Sequence, residues 1–322
     1  MTFNAGPAGI FSPTPPRQPK GAAADATRVL AKSLIGAARP SSWLWPHAGG
    51  DAPRRIRLFG FWVENTRLDQ ASREVIKAAV DRRRQRIVFV NAHVVNVAHD
   101  RPSYRSAVAS ADRIYADGSG MAVAARIIGK PLMDNVNGTD LFPLLCRDAV
   151  AAGVKIFLLG GKPGIAAKAA ETIARFGMGA AIAGTHHGYF KRGSDEEDRV
   201  IGLINQSGAS IVLVGFGVPV QDEWAERNAA RLDAPVIAGV GGLFDFFSGA
   251  VSRSPKLMRS VGCEWMWRLA MEPRRMAYRY LIGNVVFLAH AWREAKSSRA
   301  FATEPVRANA LAGAPVVKRR AP

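Results

Sequence analysis

The stretch Ala209-Ser-Ile-Val-Leu-Val-Gly-Phe-Gly-Val-Pro-Val-Gln-Asp-Glu-Trp224 constrains this chain more than any other. Apolar, mostly β-branched residues run into a Gly-x-Gly turn, and Pro219 then opens an amphipathic segment. That is the order of a buried strand, a tight turn and a helix start. Such a unit aims the free N–H groups and partial positive charge of a helix N-terminus at whatever sits above the sheet edge. Gln221 lies in the first helical turn, where it has no apolar task and can both donate and accept hydrogen bonds. An edge of this kind suits a phosphate or a nucleotide-sugar.

The same rhythm runs through much of the chain. Strands are predicted at Arg57–Val63, Arg86–Asn91, Arg113–Ala116, Val154–Leu159, Ala180–Gly184, Ile211–Val214 and Pro235–Val240. Between them the pattern predicts helices at Asp69–Arg84, Val94–Ala109, Gly120–Ile128, Thr139–Ala152, Gly164–Phe176, Asp195–Gln206 and Pro219–Arg231. This alternation predicts an α/β fold: a Rossmann-like, mostly parallel sheet with helices on both faces. Ligands of such sheets sit beyond the carboxyl ends of the strands. The expected organisation is a disordered Pro/Ala/Gly-rich segment over 1–55, an α/β core over 56–249, a basic, aromatic, helical appendage over 250–299, and a disordered tail over 300–322.

With 322 residues, 48% of them hydrophobic, the chain can bury one large core or two moderate ones. Cys146 and Cys263 are too few and too far apart for a disulfide framework, and they fit a reducing cytosol. The first thirty residues lack the apolar core of a secretory signal. No window offers the roughly 18–20 apolar residues needed to cross a bilayer. The expected location is therefore cytoplasmic.

The net charge of +18 is unevenly spread. Residues 1–57 carry +6, 58–250 only +2, 251–299 carry +7 and the remainder +3. Basic ends fit nucleic acid, an anionic membrane face or a phosphorylated substrate. The segment 251–299 also holds Trp265, Trp267, Tyr278, Tyr280 and Trp292. Rings beside cations suit the headgroup layer of a membrane; they also suit single-stranded nucleic acid. No RNP, helix-turn-helix or zinc-finger pattern supports a nucleic-acid partner, and a solvated charged helix face remains the plain alternative.

Candidate chemistry collects in the loops that follow strands. Asn91 ends a buried strand, where its amide can serve a ligand or cap the next helix. Asp117 stands before Gly118 and Gly120, so its carboxylate can approach a ligand and act as a general base, or else cap the helix near Ser119. Gly160 and Gly161 lie between a strand and a helix, as in a phosphate or ribose cradle, although the pattern is neither Gly-x-Gly-x-x-Gly nor a P-loop. Gly215 and Gly217 flank the turn before Gln221, and Gly239-Val-Gly-Gly242 makes another such turn ahead of Asp245. His186 and His187 lack a second ligand pair at metal spacing, no Asp-x-Asp is present, and no divalent cofactor is required. A Gly-x-Ser-x-Gly elbow is absent too. The acidic run Asp195–Asp198 reads as helix-start carboxylates favoured by the dipole.

Taken in order, these loops resemble the WecB/TagA/CpsF family of bacterial glycosyltransferases (glycosyltransferase family 26). The likeness runs from about Leu58 to Leu288. It rests on Ala116-Asp-Gly-Ser-Gly120, Asn137-Gly-Thr-Asp-Leu141, Phe157-Leu-Leu-Gly-Gly161, Gly184-Thr-His-His-Gly-Tyr-Phe190, Val214–Trp224, Gly239-Val-Gly-Gly-Leu-Phe-Asp-Phe246, Glu264-Trp-Met-Trp-Arg-Leu269 and Glu272-Pro-Arg-Arg275.

The resemblance implies an inverting transferase that moves a sugar from a UDP-sugar to a polyprenyl-diphosphate-linked sugar in cell-surface or exopolysaccharide synthesis. Asp117 is then the base for the acceptor hydroxyl, while Asn91 and Gln221 bind substrate hydroxyls. The appendage would dock on the anionic inner face of the membrane, with Arg268 and Arg275 reaching the diphosphate through their planar forks. Its exposed face could equally serve a homo-oligomer. Three positions depart from the family pattern: Phe89 for a common Thr, Asn135 for an Arg, and His187 for an Asp. With those changes near the sugar pocket, both N-acetylmannosaminyl and glucosyl transfer stand as expectations.

Overall fold

The computed structural model describes residues 53–252, 254–255, 258 and 262–303. Most of the predicted disordered ends, 1–52 and 304–322, lie outside the described residues.

Eight strands form one sheet: β1 (Arg55–Leu58), β2 (Phe61–Glu64), β3 (Gln85–Val90), β4 (Arg113–Ala116), β5 (Ile156–Gly160), β6 (Ile182–His186), β7 (Ile211–Gly215) and β8 (Val236–Gly239). Their spatial order is β1-β2-β4-β3-β8-β7-β5-β6. All neighbours run parallel except the β1–β2 hairpin. The expected Rossmann-like α/β architecture is therefore present.

Helices cover both faces. On one side lie α1 (Leu68–Val80), α5 (Gly138–Ala152), α6 (Ile165–Arg175) and the short α9 (Leu243–Phe247). On the other lie α2 (Ala92–Asp100), α3 (Pro102–Ala109), α4 (Ser119–Ile128), α7 (Asp195–Gln206) and α8 (Val220–Asn228). Ile87 and Phe89 of β3 point into the first layer, Val88 and Val90 into the second. Because both faces of each central strand are buried, the strands read as unbroken apolar runs rather than alternating ones.

Beyond the core follow α10 (Glu264–Met271), α11 (Pro273–Ala277), a π-helical turn at Tyr278–Ile282 and α12 (Gly283–Thr303). The last of these is not a free-standing arm. Phe287, Ala291 and Ala295 sit in the same apolar cluster as α2, α4 and the hairpin. Glu294 accepts the backbone N–H of Phe59 at 2.7 Å, and Asn96 donates to the Gly283 carbonyl at 2.7 Å.

Several elements differ from expectation. The single strand predicted at Arg57–Val63 is a hairpin, turned by Phe59 (φ 54°) and Gly60 (φ 81°). Two consecutive positive φ values match the right-handed twist of a tight hairpin. Phe59 is an unusual residue for such a place, and its ring packs on Phe287 at 5.1 Å. The helix expected over Val94–Ala109 is broken at Arg101, since Pro102 cannot donate to the turn before it and instead starts α3. The helix α12 reaches Thr303, past the expected start of the tail at 300.

Candidate active site

A cleft of about 580 Å³ opens beyond the carboxyl ends of the four central strands β4, β3, β8 and β7. Its floor holds Asn91, Asp117, Gly217, Gln221 and the Val240–Gly242 turn, and Asn137–Thr139 at the start of α5 form one wall. The roof comes from the C-terminal segment, through Glu264, Trp267 and Arg268 of α10, Met276 of α11, and Tyr278 and Arg279 of the π-helical turn. Core and C-terminal segment thus build one cavity, at the place where open parallel sheets bind ligands.

Asp117 follows β4 directly, with its N–H bonded to the Val90 carbonyl at 2.8 Å. The cap position of α4 falls to Gly118 (φ 90°), which has no side chain to offer, so Asp117 does not cap that helix. Its carboxylate instead accepts from the Asn91 amide at 3.2 Å. Burial raises the Asp117 pKa above the ordinary carboxylate range, against the opposing pull of the Asn91 amide and the Arg268 and Arg279 guanidinium groups; Asp140 adds to the rise. A carboxylate shifted upward is a stronger base.

Both readings of Asn91 hold together. Its Oδ1 caps α2, accepting from His93 and Val94 N–H at 3.1 and 3.2 Å, while its Nδ2 goes to Asp117. Asn135 fixes the same turn by accepting the Gly118 N–H at 2.8 Å.

Gln221 lines the cleft yet is only 3% exposed. Its Oε1 accepts from Gly217 N–H at 3.2 Å and Gly241 N–H at 2.8 Å, joining the loops that follow β7 and β8. Gly217 lies in the cleft lining, whereas Gly160, Gly161 and Gly215 do not. Those three pack the strand tips together. A Cβ on Gly160 would stand 2.5 Å from the Gly215 carbonyl oxygen, and one on Gly215 would stand 2.9 Å from that of Gly241. The Gly161 N–H is spent on the Gly215 carbonyl, and the Gly161 carbonyl accepts from Gly188.

Arg268 stacks its guanidinium over the Phe246 ring at 4.6 Å, inside the cleft. Its Nε and the Ser254 hydroxyl are buried there without a hydrogen-bond partner. Buried polar atoms are almost always satisfied, so these two retain bonding capacity for a ligand. The side chain of Arg275 lies outside the described residues.

Two further lining groups, His93 and Arg279, carried no separate signal in the sequence. His93 is pushed down to about 4 by burial and by Arg279, so its ring is neutral at pH 7. Phe89, one of the three positions that depart from the family pattern, and Phe246 supply apolar walls. His186 contacts His187, its Nδ1 lying 2.7 Å from the His187 carbonyl oxygen. Among the described residues, no three His, Cys, Asp or Glu side chains cluster in a way that could hold a metal ion. Of the acidic run, Glu197 turns inward, accepting from Trp224 Nε1 at 2.5 Å and from the Gly193 N–H at 2.8 Å.

A Rossmann-like sheet whose polar crevice holds a tethered carboxylate and two guanidinium groups has the layout of an α/β enzyme with its ligand site beyond the strand ends. The chain matches the Glycosyl transferase WecG/TagA/CpsF family over residues 56–300, about three quarters of its length, and belongs to that family. It is a glycosyltransferase.

Proposed function

We propose that the protein transfers a sugar, with inversion, from a UDP-sugar to a sugar carried on a polyprenyl diphosphate, in cell-surface or exopolysaccharide synthesis. The single observation that carries this reading is Asp117, a carboxylate oriented by Asn91 in a cleft that also holds Arg268 and Arg279. In this scheme the acceptor hydroxyl attacks the anomeric carbon as Asp117 takes its proton, and the C1–O bond to UDP breaks on the opposite face. The departing diphosphate carries the electron pair, and guanidinium groups offset its charge without a metal ion. Asn91 holds the base in place, and Gln221 shapes the wall on which donor or acceptor hydroxyls rest.

A lipid-borne acceptor requires the enzyme to meet a membrane. Among the described residues, no helix is long and apolar enough to span one. Tyr278, Leu281, Ile282, Val285 and Trp292 nonetheless expose apolar surface along the π-helical turn and α12, and Lys296 lies over the Trp292 ring at 4.4 Å. Apolar side chains rimmed by cations suit the headgroup region of an anionic leaflet. The reading therefore places the enzyme on the inner face of the cell membrane.

The test is a panel of UDP-sugars, UDP-glucose and UDP-N-acetylmannosamine included, offered with synthetic polyprenyl-diphosphate monosaccharides and followed by mass spectrometry. A disaccharide product of inverted configuration supports the proposal. Failure to turn over any UDP-sugar, together with no thermal stabilisation by UDP, would refute it.

A further inference from the structure

Behind Gln221, on the side away from the cleft, lies a buried polar chain that the transfer reaction does not use. Asp222 is 1% exposed, and Tyr104 is fully buried beside it. The Tyr104 hydroxyl, on α3, donates to Asp222 Oδ2 at 2.6 Å. The other carboxylate oxygen, Oδ1, faces Gln221 Nε2 at 3.5 Å, a long contact but one between opposite partial charges. Gln221 Oε1 then accepts the N–H groups of Gly217 and Gly241.

The two ends of a glutamine amide have almost the same shape, so packing alone does not decide which one faces the glycine loops. Electrostatics decides. An ionised carboxylate only accepts, and it demands the NH2 end; two backbone N–H groups only donate, and they demand the oxygen. Gly239 makes room for this arrangement, because a Cβ there would stand 2.8 Å from Gln221 Nε2.

We infer that Asp222 is a positioning residue for the substrate cleft: held by Tyr104, it sets the direction of the Gln221 amide, which clamps the Gly217 and Gly241 loops into one wall. The effect on catalysis rests on the reading of the cleft as a donor site, whereas the clamp itself does not. Asp222→Asn keeps the shape but reverses the demand. Among the described residues the Tyr104 hydroxyl donates to Asp222 alone, so keeping that bond holds the new amide oxygen toward Tyr104 and turns its NH2 toward Gln221. Gln221 must then flip, setting an NH2 group against two glycine N–H groups. Gln221→Glu combined with Asp222→Asn restores the pairing: one oxygen of the new carboxylate accepts from the glycines, and the other accepts from the new amide.

The experiment measures amide hydrogen exchange at Gly217 and Gly241, together with steady-state kinetics, in the full chain. D222N is expected to speed exchange at both glycines by about tenfold and to raise the donor KM by about tenfold with kcat changed less than about threefold. The Q221E/D222N protein should recover slow exchange at both glycines, which general destabilisation would not do; its KM is no criterion, because Gln221 itself lines the substrate cleft. Wild-type exchange in D222N, or a folded double variant no better than the single one, overturns the inference. Should D222N fail to fold, the double variant decides: folded with protected glycines it supports the pairing, and unfolded as well it refutes it. If wild-type enzyme turns over no UDP-sugar, the donor-site reading falls, while the exchange rates still judge the clamp.

Discussion

Asn91 and Asp117 sit at the tips of adjacent parallel strands, and a 3.2 Å hydrogen bond joins the amide of one to the carboxylate of the other. The opposite end of the same amide caps α2. The carboxylate is thereby tied to a helix that packs on the sheet, so its orientation comes from the fold rather than from a ligand.

Asp117→Asn should lower kcat by a factor on the order of 10² to 10⁴, with melting temperature and UDP affinity close to wild type, since the amide keeps the shape but cannot take the proton. Activity equal to wild type in a sugar-transfer assay would remove Asp117 from the mechanism.

The pH profile should respond to Arg268. Its positive charge pulls the Asp117 pKa down against the effect of burial. In Arg268→Gln the carboxyl therefore holds its proton to higher pH, and the acidic limb of kcat/KM moves upward. A limb that stays in place or moves downward would contradict the electrostatic link between the two residues.

Asp222 should impose a pH dependence on stability. Burial pushes its carboxyl up to about 6 from 3.8, with Tyr104, Gln221 and Arg86 opposing the rise and Glu223 adding to it. The folded state thus holds this proton more tightly than the unfolded chain. Its contribution is fully present below the unfolded value and is lost as pH rises through about 6, by roughly 3 kcal/mol in all. Urea titrations between pH 4 and 8 should show this decline in wild type and a flatter curve in Asp222→Asn.

Gly160→Ala should destabilise the protein without touching the cleft. The glycine has φ 145°, and a Cβ would press on the Gly215 backbone. Strain and overpacking together cost about 2–5 kcal/mol. A denaturation midpoint unchanged from wild type would show that the strand tips are looser than the geometry implies.

Membrane docking and folding should separate within α12 and the turn before it. Leu281→Glu with Val285→Glu alters side chains that are 58% and 67% exposed, and should reduce sedimentation with anionic vesicles at unchanged stability. Phe287→Ala instead removes a core ring and should cost about 3–5 kcal/mol. Undiminished vesicle binding by the double glutamate variant would rule out this face as the docking surface. Truncation after Gly249 cannot make the distinction, because it would also uncover the core cluster that α12 completes.

Much of this architecture was legible in the linear chain. Unbroken β-branched runs, glycine turns and amphipathic segments follow from local chemistry, and they suffice for a parallel sheet with loops gathered at one edge. The placement of Asn91, Asp117 and Gln221 at that edge follows from the same periodicity, because each directly follows a strand or its turn.

Other features depend on contacts between residues far apart in sequence, which local patterning cannot encode. Phe59 adopts a positive φ where its ring meets Phe287 and its N–H meets Glu294, more than 200 positions away. The basic C-terminal segment reads as an appendage from its charge alone; that Phe287, Ala291 and Ala295 of its last helix join the core cluster, and that Arg268 and Arg279 line the cleft, depends on contacts across the fold. The direction of the Gln221 amide is invisible without Asp222, Gly217 and Gly241 around it. Propensity and hydrophobic period act over a few residues at a time; the hairpin turn, the roof of the cleft and the orientation of its polar groups were decided by burial and hydrogen bonding once the whole chain had folded.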